Sequence, residues 1–177
     1  PCPLSQEYWE ASFMRRATAV AEFSKKYLSI AGIGLDPEAY YFCTWYNDEY
    51  KKRGLTSPGW SSTTFMSHDE CFCDHCFSGF LASQNLPSPS IEANGKARFE
   101  WLKSHSLDKV YYDYLENEMF KLTRDIESRL HKIRPDFLIT VMLLGINDIW
   151  WCRGVSRGLG TTRVPVLDFD ESVYYAP

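Results

Sequence analysis

Two acidic residues follow directly after an apolar stretch near the start of the chain. Residues 30–35 read I-A-G-I-G-L, and Asp36 and Glu38 come next. If side chains alternate with period two, both acids share a face with Gly32 and Gly34, which leaves room for a ligand. Like-charge repulsion between neighbouring carboxylates raises the pKa of one of them. The pattern predicts Glu38 as a general acid, with Asp36 setting its ionisation or orienting a substrate. The alternative is a strand followed by an Asp-Pro turn with solvated acids.

A second set of acids lies near the end of the chain, in the stretch V-P-V-L-D-F-D-E. Alternation would place Asp168 and Asp170 on the face predicted for Asp36 and Glu38. A protonated and an ionised carboxylate together can cleave a glycosidic bond, and aromatic rings can stack on sugars. Asp170 or Glu171 is therefore the predicted second carboxylate. A helix cap or a surface acidic patch is the alternative. The predicted substrate-binding residues are Tyr40, Trp45, Asp168 and Tyr174.

Three cysteines have the C-x-C-x-x-C spacing of a metal-binding knuckle, at Cys71, Cys73 and Cys76. Zn²⁺ in a structural site takes four ligands in a tetrahedron, and three thiolates at this spacing can surround one ion. We expect Cys43 to be the fourth ligand, with His68 and His75 as substitutes. Disulfides or free thiols remain open, because the cysteine count of six is even. The sequence shows no spacing pattern that assigns a partner to Cys2 or Cys152. Cys152, which lies beside Trp151, is expected to be a buried apolar residue.

The elements that would position these groups are helices alternating with apolar strands. Ser5 is a plausible N-cap for a helix over residues 4–27, and apolar residues recur at helical spacing after Lys96 until Arg134-Pro135 closes the run. A short helix is expected from about residue 147 to residue 159, where Gly158 and Gly160 break the chain. The predicted strands cover residues 30–36, 137–144 and 164–170.

This order predicts an α/β fold with parallel strands alternating with helices, as part of a TIM (β/α)₈ barrel. A self-contained open α/β sheet is the alternative. We expect residues 1–177 to form a single β/α domain, with residues 39–100 as a long loop insertion that carries the cysteines. Neither end of the chain resembles a natural terminus, so we also expect the remainder of a longer chain, or another subunit, to complete it.

The charge and composition of the chain bear on two classes of partner, nucleic acids and membranes. The net charge of −4 and pI near 5.6 give no electrostatic reason to expect nucleic acid. No stretch approaches the roughly 20 apolar residues of a membrane span.

Several segments together resemble the (β/α)₈-barrel glycoside hydrolases. They are G-I-G-L-D-P-E-A-Y, C-F-C-D-H-C-F-S-G-F, R-F-E-W-L, I-R-P-D and the closing stretch from G-L-G-T to V-Y-Y. The cysteine knuckle is similar to the one that binds zinc in family 42 β-galactosidases. The Asp36-x-Glu38 pair looks like the end of the chitinase-type signature, although glycine and leucine replace the earlier acids of that signature. The resemblance implies a carbohydrate substrate and a structural zinc ion. The competing hypothesis is a non-catalytic carbohydrate-binding or assembly protein.

Overall fold

The computed structural model describes residues 2–36, 71–143 and 150–170. Its backbone divides into two compact units. The first is built from Pro3–Ala39 and Glu116–Pro177, and the second from Cys2 and Tyr40–Leu115. In order, the elements are α1 (Gln6–Trp9), a π-helical turn (Glu10–Met14), α2 (Arg15–Ser24), β1 (Gly32–Leu35), α3 (Asp74–Ser83), α4 (Gly95–Ser104), α5 (Asp108–Ile133), β2 (Leu138–Leu143), α6 (Trp150–Leu159) and β3 (Leu167–Asp170).

The first helical stretch, from Gln6 to Ser24, confirms the predicted N-terminal helix with shorter ends. The hydroxyl of Ser5 accepts a hydrogen bond from the backbone N–H of Tyr8 at 3.2 Å, as an N-cap should. Trp9, Phe13, Ala17 and Ala21 form its buried stripe at four-residue steps. Within the three described ranges, no helix is both long and apolar enough to cross a membrane.

The three strands form one parallel sheet in the order β1-β2-β3, which confirms the predicted α/β class. Phe137, Ile139 and Val141 alternate as buried positions along and just before the central strand. Gly32 faces Leu138 so closely that a Cβ on it would lie 2.0 Å from the Leu138 carbonyl oxygen. Only a glycine allows this approach between the two strands.

A buried arginine anchors the start of β1. The guanidinium of Arg134 donates to the backbone carbonyls of Ser24 and Ile30, which lie at either end of the connection from α2 to β1. It also binds Asp136, with 3.0 Å between Nε and Oδ1. The arginine of the I-R-P-D segment therefore holds the chain where it enters the sheet.

Helices α5 and α6 approach closely because α6 carries glycines four residues apart. A Cβ on Gly154 would lie 2.6 Å from the Cβ of Met119, and one on Gly158 would lie 1.8 Å from Oγ1 of Thr123. Helix α6 ends at Leu159, as predicted, and Gly158 lies inside it. The missing side chain of Gly158 allows the two helices to pack closely. Cys152 on the same helix is buried, as predicted.

The second unit contains α3, α4 and the first part of α5. Residues 39–100 were expected to form a loop insertion, but 74–83 and 95–104 are helical. The reason is tertiary: Phe77, Phe80 and Leu81 of α3 are buried, and the first two contact the ring of Tyr111. Helix α3 is only ten residues long and contains Ser78 and Gly79, so its apolar residues form no clear helical pattern in the sequence.

Candidate metal centre

The cysteine knuckle lies at the start of α3. Cys71 and Cys73 precede the helix, and Cys73 occupies its N-cap position with an extended backbone (φ −70°, ψ 164°). Cys76 lies in the first turn, where the backbone N–H of Phe77 returns to the Cys73 carbonyl at 3.0 Å. This change from extended chain to helix turns all three side chains toward one point. Cys71 and Cys76 are buried, and Cys73 is partly exposed.

Cys2 is the fourth member of the cluster. The sulfur atoms of Cys2, Cys71, Cys73 and Cys76 all lie within 4.8 Å of one another. Cys2 Sγ is 3.4 Å from Cys76 Sγ and 4.0 Å from Cys71 Sγ. Both distances exceed an S–S bond of about 2.05 Å. Four sulfurs at about 2.3 Å from a tetrahedral Zn²⁺ would be about 3.8 Å apart, so the cluster is of the right size for one metal ion.

Cys2 was not predicted as a ligand from the sequence. Its sulfur lies near those of Cys71 and Cys76, which are some seventy positions away in the sequence. No other cysteine or histidine lies near Cys2 in the sequence at a spacing that would indicate a metal ligand. An unassigned cysteine in a chain with a three-cysteine knuckle was the only available signal. The predicted fourth ligand, Cys43, and its substitute His68 lie outside the described residues, and His75 is exposed on α3.

The four thiols perturb one another strongly. Hydrogen bonds, first from Cys2 and then from Cys71 and Cys76, lower the pKa of the Cys73 thiol. The pKa of Cys71 and that of Cys76 are raised, mainly by their hydrogen bonds with Cys2 and in part by burial. One thiolate is thus favoured while its neighbours keep their protons. A bound cation would reverse this preference, because metal ions bind thiolates and displace protons.

Aromatic side chains pack together at the segment that carries the first two cysteines. The ring of Phe72 stacks on Tyr111 with 5.4 Å between centroids and meets Phe99 edge-on at 6.0 Å. Phe72 and Tyr111 are buried. The segment that carries the first two cysteines is therefore anchored by its own intervening side chain.

The predicted acidic site lies in the first unit, at the carboxyl edge of the sheet. Asp36 is exposed just after β1, and Asp168 and Asp170 belong to β3. Since all three strands are parallel, the ends that carry these residues meet at one edge. The other predicted residues of this site lie outside the described part of the chain; they are Glu38, Glu171, Tyr40, Trp45 and Tyr174.

The strand register differs from the expected alignment of the acids. Leu35 pairs with Val141, and Val141 pairs with Asp168. Asp168 therefore lies in the row of Leu35, whereas Gly34 lies in the row of Thr140 and Leu167. The prediction that the acids of β3 align with Gly32 and Gly34 is wrong, because the offset between strands depends on their pairing and cannot be read from spacing.

Comparison with known proteins finds no family profile, no curated sequence and no solved structure that matches this chain significantly.

Proposed function

We propose that this chain is a metal-binding protein in which Cys2, Cys71, Cys73 and Cys76 hold one structural Zn²⁺ ion. The supporting observation is the convergence of four sulfur atoms within 4.8 Å. A set of four sulfurs in this arrangement suits zinc or iron among common metals, and zinc is the usual occupant of a Cys₄ site. Four protein ligands leave no position for water, so the role is structural rather than catalytic.

The ion would connect the start of the chain to the knuckle at the start of α3. Cys2 and Cys71 are 69 positions apart, so a shared metal closes a long loop. Because unfolded chains lack such a preformed site, the free energy of metal binding adds to the free energy of folding.

Elemental analysis of the purified protein tests this proposal. We expect one equivalent of zinc in the wild type and a loss of bound zinc in Cys71→Ser and Cys76→Ser. Cys152→Ala is the matched control, since it removes a buried cysteine in the first unit and should leave the zinc content unchanged. Wild-type protein without zinc, in which mass spectrometry finds these cysteines joined in disulfides, would refute the proposal.

A second candidate function is hydrolysis or binding of a carbohydrate at the carboxyl edge of the sheet. It is favoured by the parallel pairing, which brings the carboxyl ends of β1 and β3 to the same edge of the sheet. In this proposal the sheet is part of a (β/α)₈ barrel, whose active site lies at that edge. Glu38 is the general acid, Asp36 sets its ionisation or orients the substrate, and Asp170 or Glu171 is the second carboxylate.

A panel of glycan substrates, assayed with the natural protein and with Glu38→Gln, tests this second candidate. We expect activity on at least one glycan and a loss of at least about 100-fold on substitution. Glu118→Gln, which changes a glutamate on α5 paired with Lys121, is the control. Activity unchanged in Glu38→Gln removes this residue from the mechanism. Binding without turnover would indicate the non-catalytic carbohydrate-binding protein.

A further inference from the structure

Two side chains from neighbouring helices hold the backbone of the knuckle itself. The hydroxyl of Tyr111, on α5, donates to the carbonyl of Cys71. Arg98, on α4, donates through Nη1 to the carbonyl of Phe72 at 2.6 Å. Both donors are buried, with Tyr111 fully inaccessible and Arg98 8% exposed. Two consecutive carbonyls next to the metal ligands are therefore held by buried side chains.

Arg98 also spans the turn that contains Cys73. Its Nη2 binds the carboxylate of Asp74, the first residue of α3, while its Nη1 binds the residue before Cys73. The guanidinium lies 5.2 Å from the centre of the Phe77 ring, which limits its movement further. Because a guanidinium presents several donors in a rigid fork, it can hold both sides of the turn at once.

The charge of Arg98 suits a thiolate site. Four thiolates around one divalent cation keep a net negative charge, and a buried arginine beside their backbone offsets part of it. Side chains that hold ligand-bearing segments in this way tune metal affinity without touching the ion.

We propose that Arg98 and Tyr111 are positioning residues of the metal site, which hold the knuckle in its binding shape before the ion arrives. This inference rests on the proposed metal function of the four cysteines. It predicts that removing either donor speeds loss of zinc, although neither side chain is a ligand. It also predicts that the donors protect Cys71 and Cys76 from modification in the metal-free protein.

The test measures the rate at which zinc passes to a coloured chelator from the wild type, Arg98→Gln, Arg98→Lys and Tyr111→Phe. We expect release about 10- to 100-fold faster for Arg98→Gln and Tyr111→Phe. Arg98→Lys keeps the charge but loses the fork, so its rate should lie between those of the wild type and Arg98→Gln. Arg129→Gln is the matched control, because Arg129 binds Glu10 in the first unit. Its release rate should equal that of the wild type.

Two further readouts separate positioning from general stability. The absorption spectrum of the Co²⁺-loaded protein should change in Arg98→Gln and Tyr111→Phe but not in Arg129→Gln. In metal-free protein, a thiol reagent should label Cys71 and Cys76 faster in the first two variants. Wild-type zinc release and labelling rates in folded Arg98→Lys and Tyr111→Phe would overturn the inference while leaving the metal site intact. A wild type that binds neither metal would overturn the metal function and this inference together.

Discussion

Both units contain a buried arginine that holds a segment of the backbone, but the surroundings of the two segments differ. In each unit this arginine donates to at least one backbone carbonyl and pairs with an exposed aspartate. Arg98 holds Phe72 beside the cysteine cluster and binds Asp74. Arg134 holds Ile30 at the entry to β1 and binds Asp136.

The difference lies in what surrounds the held backbone. Next to Arg98, four sulfur atoms converge from distant positions in the chain. Next to Arg134, the held carbonyls of Ser24 and Ile30 belong to a connection between a helix and a strand. A buried arginine on backbone carbonyls therefore indicates a segment that must keep its shape. The neighbouring side chains decide whether that shape serves a site or only the fold.

The largest expected effect comes from breaking the cysteine cluster. Cys76→Ser removes a buried cysteine of the cluster and, on the proposed function, the metal with it, which should destabilise the protein by about 4 kcal/mol or more. Urea unfolding and zinc content measure this effect. On chelation, amide hydrogen exchange should quicken more in α3 than in β2. Equal loss of protection in the two elements would contradict the view that the metal acts locally on the knuckle.

Arg134→Gln should have the next largest effect. It removes the charged donor from two carbonyls in the first unit, at a cost of about 2–3 kcal/mol. Zinc content should not change, which separates this arginine from Arg98. The comparison variant Arg129→Gln breaks a half-exposed ion pair with Glu10 and should cost under about 1 kcal/mol. If urea unfolding gave the same stability for both variants, the anchoring role of Arg134 would be wrong.

Gly32→Ala tests the strand pairing that Arg134 supports. The new methyl group would overlap the Leu138 carbonyl, so β1 and β2 must shift apart, at a cost of about 1–3 kcal/mol. Gly34→Ala is the matched control, because its Cβ would lie 3.0 Å from Oγ1 of Thr140, a side chain that can adjust. The midpoint temperature of thermal unfolding should be much lower in Gly32→Ala than in Gly34→Ala. The reverse order would contradict the strand register.

The smallest effect concerns pH and one ion pair in each unit. A hydrogen bond from Arg129 lowers the pKa of Glu10, and one from Lys103 lowers the pKa of Asp108. Since the folded pKa lies below the unfolded one, each pair stabilises the protein fully above the ordinary carboxyl pKa of about 4. This stabilisation is lost as the pH falls through the lowered value.

Each pair is solvent-exposed, so we expect only a few tenths of a kcal/mol from it. Glu10→Gln and Asp108→Asn should each lower stability at about pH 6 but have little effect at about pH 2. Urea unfolding at the two pH values measures the difference. A gap between wild type and variant that stays constant with pH would mean that the ion pair is not its source.

Local patterns were enough to predict much of the fold. The stripe of apolar residues in α5 and the unbroken apolar run of β2 follow from helical and strand periodicity, and Ser5 follows from capping chemistry. The C-x-C-x-x-C spacing identified three members of the cysteine cluster, since the backbone between them is short enough to limit where their sulfurs can lie. The alternation of helices and strands predicted the parallel order of the sheet but not its register.

The amino-acid sequence by itself determined those features that depend on neighbours within about four residues. Tertiary structure decided the rest. It brought Cys2 to the knuckle, set Gly158 against Thr123 of α5 and placed Asp168 in the row of Leu35. Each of these depends on which distant segments pack together. The spacing of a residue from its neighbours in the sequence does not indicate which distant segments pack together. Many pairings satisfy the same local pattern, and only the packed core selects one.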